Sequence, residues 1–321
     1  MAINLDKPHL WKKDILRSVD FYNAWFTEFA PHAFRQTRAA TTGNVQRALK
    51  ITNYLRNISP KLLEEHPNLL PILRLSSCPP IARDRLVGLA GVSRHLVRCM
   101  ENSDNPHIPQ KEDKSLLEKE LRSLSDVFTR LSDPDIFPWL ADGRTPNADE
   151  ILRSSTVVAD RLCSSFTDPI IRNAQEKRQL AAIASYLENK GYRESENGVP
   201  FDKMTAGTFS FRSIVPVFIS GGEGDKVNIS VDVVIMPASA QAGDMPLLIE
   251  AKSAGDFTNV NKRRKEESMK MQQLKNTFGS RVSYTLFLCG YFDSGYLGYE
   301  AAEGIDWVWE HRITDLDKLG I

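Results

Sequence analysis

The chain has 321 residues, 41% of them hydrophobic and 26% charged, enough apolar material for real cores and too much for a disordered chain. Lysine plus arginine and aspartate plus glutamate balance at 41 each, so overall charge marks no polyanionic partner, and any nucleic-acid surface must come from local clustering. The length exceeds the usual single domain, so two domains, or one with a large elaboration, are expected.

The four cysteines, Cys78, Cys99, Cys163 and Cys289, are far apart and lack Cys-x-x-Cys spacing. They exclude a zinc ribbon or a disulfide scaffold and fit a reducing, cytoplasmic setting. The opening "MAINLDKPHLWKKDILRS" has no apolar signal-peptide segment, and no run of the length needed to span a membrane follows it, so neither secretion nor a membrane span is expected.

Residues 1 to about 165 read as helical. Phe21, Trp25 and Phe29 recur at four-residue steps, the spacing of a helix face, and Leu117, Leu121, Leu124 and Phe128 do likewise. Within this part, "ARDRLVGLAGVSRHLVRCME" has the pattern of a helix-turn-helix. Gly91 makes the turn, Leu86, Ala90, Val92, Val97 and Met100 pack the two helices, and Ser93 caps the second. Arg94, His95 and Arg98 would then enter a major groove. Any α-hairpin with a glycine turn gives a similar pattern, so both readings stay open here.

Past residue 165 the style changes. Asp168-Pro169 predicts a helix start and Gly191 its stop. Three β-branched runs follow, "GTFSFRSIVPVF", "KVNISVDVVIMP" and "PLLIEAKS", then a basic helix and the run "VSYTLFLCGYF". That order predicts an α/β layout with a domain boundary near residue 165.

The second and third runs predict an antiparallel hairpin bracketed by Pro237 and Pro246, because proline tends to end ladders. If residues 236 and 246 face each other, Asp232 lies opposite Glu250, and period-two alternation puts Lys252 on the same face as Glu250. Two carboxylates directly opposite repel, at a cost to stability. A divalent cation between them turns that cost into a binding site, and oxygen-only ligation suits Mg²⁺. A nearby lysine orients a water or offsets phosphate charge as the ammonium, or deprotonates a water as the free amine. The chance reading is a strand that carries Glu-Ala-Lys with both side chains in solvent.

After this hairpin comes a basic helix, where Lys262, Arg263, Arg264 and Lys265 form one cluster. Met271, Leu274 and Phe278 give it an apolar stripe for packing on the sheet. The cluster is expected to hold phosphate beside Lys252; the bland alternative is a solvated face with pairs such as Lys262 with Glu266. In the preceding helix, Glu176 shares a stripe with Leu180, Ile183 and Leu187, either as a site residue or as an acid favoured near a helix N-terminus. No P-loop, G-x-S-x-G elbow or paired histidine spacing occurs, which excludes an ATP-driven motor, that class of serine hydrolase and a zinc hydrolase.

Asp232 followed by Glu250-Ala251-Lys252 resembles the PD-(D/E)xK nuclease signature, with Val231 where its name implies proline. The longer string "IEAKSAGDFTNVNKRRKEE", with "KPHLWKKDILRSVDFYNAWF" and "PPIARDRLVGLAGVS", resembles the XamI-type family of Type II restriction endonucleases over nearly the whole chain. The resemblance implies a PD-(D/E)xK core over residues 166–321, a mixed sheet flanked by helices. It also implies a mainly helical domain over 1–165 for DNA recognition, dimerisation or both. The implied activity is that of a bacterial, cytoplasmic enzyme cutting double-stranded DNA at a short palindrome with Mg²⁺, for which Mn²⁺ substitutes. Its products would carry 5′-phosphate and 3′-hydroxyl ends. Asp232 and Glu250 would hold the metal with the Ala251 carbonyl as a third ligand, and Lys252 would assist an attacking water. Glu176 would reach the metal as a glutamate of the first core helix does in some relatives of this fold. A homodimer is implied, as is a cognate DNA methyltransferase in the same system but outside any stable complex. Two other readings remain: a DNA-binding regulator built on 82–101 with a non-catalytic sheet, and a structure-specific repair or recombination nuclease of the same fold.

Overall fold

The computed structural model describes residues 2–102, 104–110, 113–196, 198–219, 226–258, 260 and 264–321, the side chains of 164–166 excepted. In chain order the helices are α1 (Pro8–Ile51), α2 (Pro60–Glu65), α3 (Leu70–Leu75), α4 (Arg83–Ala90), α5 (Arg94–Met100), α6 (Lys114–Leu131), α7 (Trp139–Asp142) and α8 (Ala148–Asn189), then, after four strands, α9 (Arg264–Phe278) and, after a fifth, α10 (Ser294–Ala302). The strands are β1 (Arg193–Glu194), β2 (Thr208–Phe218), β3 (Lys226–Met236), β4 (Leu247–Ala254), β5 (Ser283–Gly290) and β6 (Asp306–Trp309). The chain divides into two compact units, Pro31–Ile170 and Met1–Ala30 with Ile171–Ile321. One break thus falls between Ile170 and Ile171, and the first thirty residues group with the sheet.

The unit over 31–170 is helical. Its core gathers Val45, Leu63, Leu86, Leu96, Leu121, Phe128, Trp139 and Leu162. The stripe Leu117, Leu121, Leu124 and Phe128 of α6 is buried, as its spacing predicts. Between α4 and α5, Gly91 adopts φ +63°, the left-handed region where glycine carries no Cβ penalty. Ser93 then accepts the Leu96 N–H at 3.0 Å and caps α5. Leu86, Val92, Val97 and Met100 are buried in this unit's core, and Ala90 is half-buried against it.

In the other unit, six strands form one mixed sheet in the order β1-β2-β3-β4-β5-β6. The β2–β3 and β3–β4 pairs are antiparallel; β1–β2, β4–β5 and β5–β6 are parallel. Helices α9 and α10 supply the long connections that parallel neighbours require. One sheet face, with Val234, Leu248, Leu286 and Leu288, packs against Met271 and Leu274 of α9 and Tyr296 and Leu297 of α10. The other, with Phe209, Val233, Ile235, Ile249 and Phe287, packs against Leu180, Ile183 and Leu187 of α8. Covered on both sides, β5 is a nearly continuous apolar run, buried from Tyr284 to Gly290.

One local expectation fails for a physical reason. Pro169 does not start a helix but lies inside α8. An internal proline costs about 3 kcal/mol or more, but α8 buries Val158 and Leu162 before it and Leu180, Ile183 and Leu187 after it, and that burial outweighs the lost hydrogen bond. On α1, Phe21, Trp25 and Phe29 share a helix face as their spacing predicts, Phe21 exposed and Trp25 and Phe29 half-buried. Phe21 and Trp25 receive the Arg178 guanidinium at 5.3 and 4.9 Å from their ring centres. Among the described residues, no helix is long and apolar enough to cross a membrane.

Candidate active site

The site forms where the sheet opens. The β3–β4 ladder pairs Ile235 with Leu247, Val234 with Leu248 and Val233 with Ile249, the register that the flanking prolines predict, and then stops. The next step brings Asp232 against Glu250. Here the Asp232 carboxylate replaces the ladder: its Oδ2 accepts the Ala251 N–H at 2.9 Å. The β2–β3 ladder also skips this level. It pairs Phe211 with Val233 and Ser213 with Val231, while Arg212, across from Asp232, turns to φ +51°.

Glu250 is 5% exposed. Its Oε1 accepts a 2.6 Å hydrogen bond from Lys270 and lies 3.1 Å from Lys252 Nζ, while its Oε2 is buried without a hydrogen-bond partner among the described residues. Lys252 Nζ also stands 3.2 Å from Oε1 of the fully buried Glu267. Lys270 donates further to the Ser230 carbonyl at 3.0 Å. The result is a chain of alternating charges, Glu267–Lys252–Glu250–Lys270, with Asp232 beside it.

Burial, and next the Glu250 charge, push the Asp232 carboxyl up to about 6. For Lys252, burial works against the ammonium, but the carboxylates of Glu250 and Glu267 outweigh it and hold the group above its usual range. Lys252 is thus a charged donor at neutral pH. Burial and the Glu267 charge raise Glu300 of α10 to about 8, which keeps it uncharged beside this cluster at neutral pH.

The structure brings together Asp232, Glu250 and Lys252 and leaves other expected site residues elsewhere. Glu176 pairs with Arg212 at 2.7 Å, and among the described residues no hydrogen bond or ion pair joins it to the three. Lys262 and Arg263 lie outside the described residues. Arg264 turns its guanidinium onto the Tyr299 ring at 5.1 Å, because α10 packs beside it, whereas Lys265 is exposed. Arg94, His95 and Arg98 are all exposed on α5. Sequence reasoning missed Glu267 and Lys270 as site groups. One signal was available: Glu267 stands four and seven positions before Met271 and Leu274, on the apolar stripe of α9.

Among the described residues, no three acidic, imidazole or thiol groups are arranged as a ready metal cage. The donor set nonetheless fits Mg²⁺, which keeps several waters and uses one or two carboxylates. Glu250 Oε2, buried and without a hydrogen-bond partner among the described residues, and the Asp232 carboxyl beside it are oxygens of the kind such a cation takes.

A family model described as XamI restriction endonuclease matches residues 53–309. The Type II restriction enzyme SalI of Streptomyces albus G is 48% identical over 320 residues, covering 99% of each chain. No solved structure matches.

Proposed function

The chain belongs to the XamI restriction endonuclease family, and from that premise we propose that Asp232, Glu250 and Lys252 carry Mg²⁺-dependent hydrolysis of double-stranded DNA. The enzyme is a type II site-specific deoxyribonuclease. The observation that carries the site assignment is the meeting of two carboxylates at the opening of the sheet with a half-buried ammonium 3.1 Å from one of them. As pure structure that arrangement is costly.

Asp232 and Glu250 would hold the cation, with the Ala251 carbonyl as a further oxygen and Mn²⁺ as a substitute. When bound, such an ion offsets the charge that develops on the phosphate oxygens and acidifies a water. Lys252, protonated and pinned between Glu250 and Glu267, donates to the attacking oxygen and stabilises negative charge at phosphorus. Attack in line with the 3′ oxygen leaves a 5′-phosphate and a 3′-hydroxyl. Glu267 holds the Lys252 ammonium in place, and Lys270 holds Glu250.

The recognition site is a short palindrome, and cutting both strands of such a site calls for a two-fold pair of copies. The exposed Arg94, His95 and Arg98 on a short capped helix support base readout by the helical unit. Exposed Lys265 and its neighbours Lys262 and Arg263 would grip the backbone. A cognate methyltransferase would protect host DNA without forming a stable complex with the nuclease.

Digestion of a plasmid of known sequence tests the reading. Discrete fragments are expected with Mg²⁺ and none in EDTA. Lys252→Ala should bind the same DNA and leave it uncut; cutting by Lys252→Ala at the wild-type rate refutes the assignment.

A further inference from the structure

Arg212 combines three features that no part of the reaction scheme uses. It holds φ +51°, a left-handed conformation that a residue with a Cβ rarely adopts, in the middle of an otherwise regular strand. It interrupts the β2–β3 ladder at one level only, the level of Asp232, since pairing is intact at Phe211–Val233 and resumes at Ser213–Val231. Its side chain is 61% exposed, and its one protein partner among the described residues is Glu176, at 2.7 Å through a single terminal nitrogen.

A half-exposed ion pair stabilises little and does not account for a strained backbone. Strain of this kind persists where the surroundings enforce it, and it gathers at ligand-binding positions. The turn at 212 takes the residue out of the ladder, while its neighbours Phe211 and Ser213 stay paired with Val233 and Val231 on either side of Asp232. A guanidinium has five N–H donors in a planar fork, so one edge can keep Glu176 while the rest take a phosphate oxygen. Phosphates follow one another at about 3.4 Å of axis per strand, so a group anchored beside Asp232 reaches those next to the scissile one.

We propose that Arg212 is a DNA-backbone contact of this enzyme: its left-handed turn presents the guanidinium, steadied by Glu176, to a phosphate flanking the cleaved bond. This rests on the reading of Asp232 as part of the nuclease centre. It is a sequence-independent contact, which gives it a distinct signature.

The experiment measures binding of the full-length protein to a labelled duplex in EDTA across a salt series, alongside thermal melting. Arg212→Gly is the informative variant, because glycine accepts φ +51° freely and leaves the backbone turn in place. The expected result is a Tm at or above wild type, affinity weaker by about tenfold to a hundredfold, and a slope of log K against log salt reduced by about one. Arg212→Met, which keeps length without charge, should weaken binding in the same way and serves if Arg212→Gly fails to fold. Wild-type affinity and slope from these variants overturn the proposal and leave Arg212 as a backbone turn alone. Cleavage at the wild-type rate by Asp232→Ala would instead sink the reading of Asp232 as part of the nuclease centre.

Discussion

The Nζ of Lys252 stands 3.2 Å from Oε1 of Glu267, a carboxylate sealed between α9 and the sheet. Lys252 comes from β4 and Glu267 from the crossover helix that follows it, so the packing of Met271 and Leu274 on the sheet also fixes where the ammonium sits. Glu267→Gln keeps the shape and removes the anchor charge. Its single-turnover cleavage should slow by about 10- to 100-fold, as for other groups that orient a reacting side chain, while duplex affinity in EDTA holds. An unchanged cleavage rate would show that Glu250 alone positions Lys252.

Asp232 should make the metal-free enzyme sensitive to pH in a definite direction. Its carboxyl rises from 3.8 to about 6 on folding. The folded state therefore binds more protons than the unfolded one between these values, and stability falls as pH rises through that window. The penalty is complete above about 6, absent below about 4, and on the order of 2–3 kcal/mol. Asp232→Asn retains an acceptor for the Ala251 N–H and removes the charge. Calorimetry without metal should show it more stable than wild type at pH 8, with the gap closing toward pH 4. A gap that is the same at both pH values contradicts this account.

How much of this was legible in the sequence depends on the range of the interaction concerned. The opposition of Asp232 and Glu250 follows from Pro237, Pro246 and strict alternation, all local to one hairpin, and the observed register agrees. Gly91 and Ser93 likewise mark a turn and a cap through their own backbone needs. What was hidden depends on distant partners. The α9 stripe shows that Glu267 shares a face with Leu274, but only the docking of α9 on β4 puts that face against Lys252. Glu176 sits on the expected stripe of α8, yet the turn at Arg212 claims it. Nothing local to residues 1–30 reveals that Ile15 will join the sheet's core, and β6 spans only Asp306–Trp309, too short a run to show its period.

Lys270 bears on the same charge balance. Its 2.6 Å bond to Glu250 Oε1 gives the metal-free site an internal cation. Lys270→Met should lower metal-free stability by about 1–3 kcal/mol, the cost of leaving a buried charged group short of a partner. Added Mn²⁺ should then raise the Tm of the variant more than that of wild type, because the carboxylates are less compensated. Thermal shifts of equal size in the two proteins would show that Lys270 and the cation do not share Glu250.

The most direct measurement is anomalous diffraction from crystals soaked in Mn²⁺. We expect one strong peak within about 2.2 Å of a carboxylate oxygen of both Asp232 and Glu250, with Lys252 Nζ alongside and still facing Glu267. No peak there, from protein that cleaves DNA in the same Mn²⁺ solution, would contradict the assignment and move the reaction to another part of the molecule.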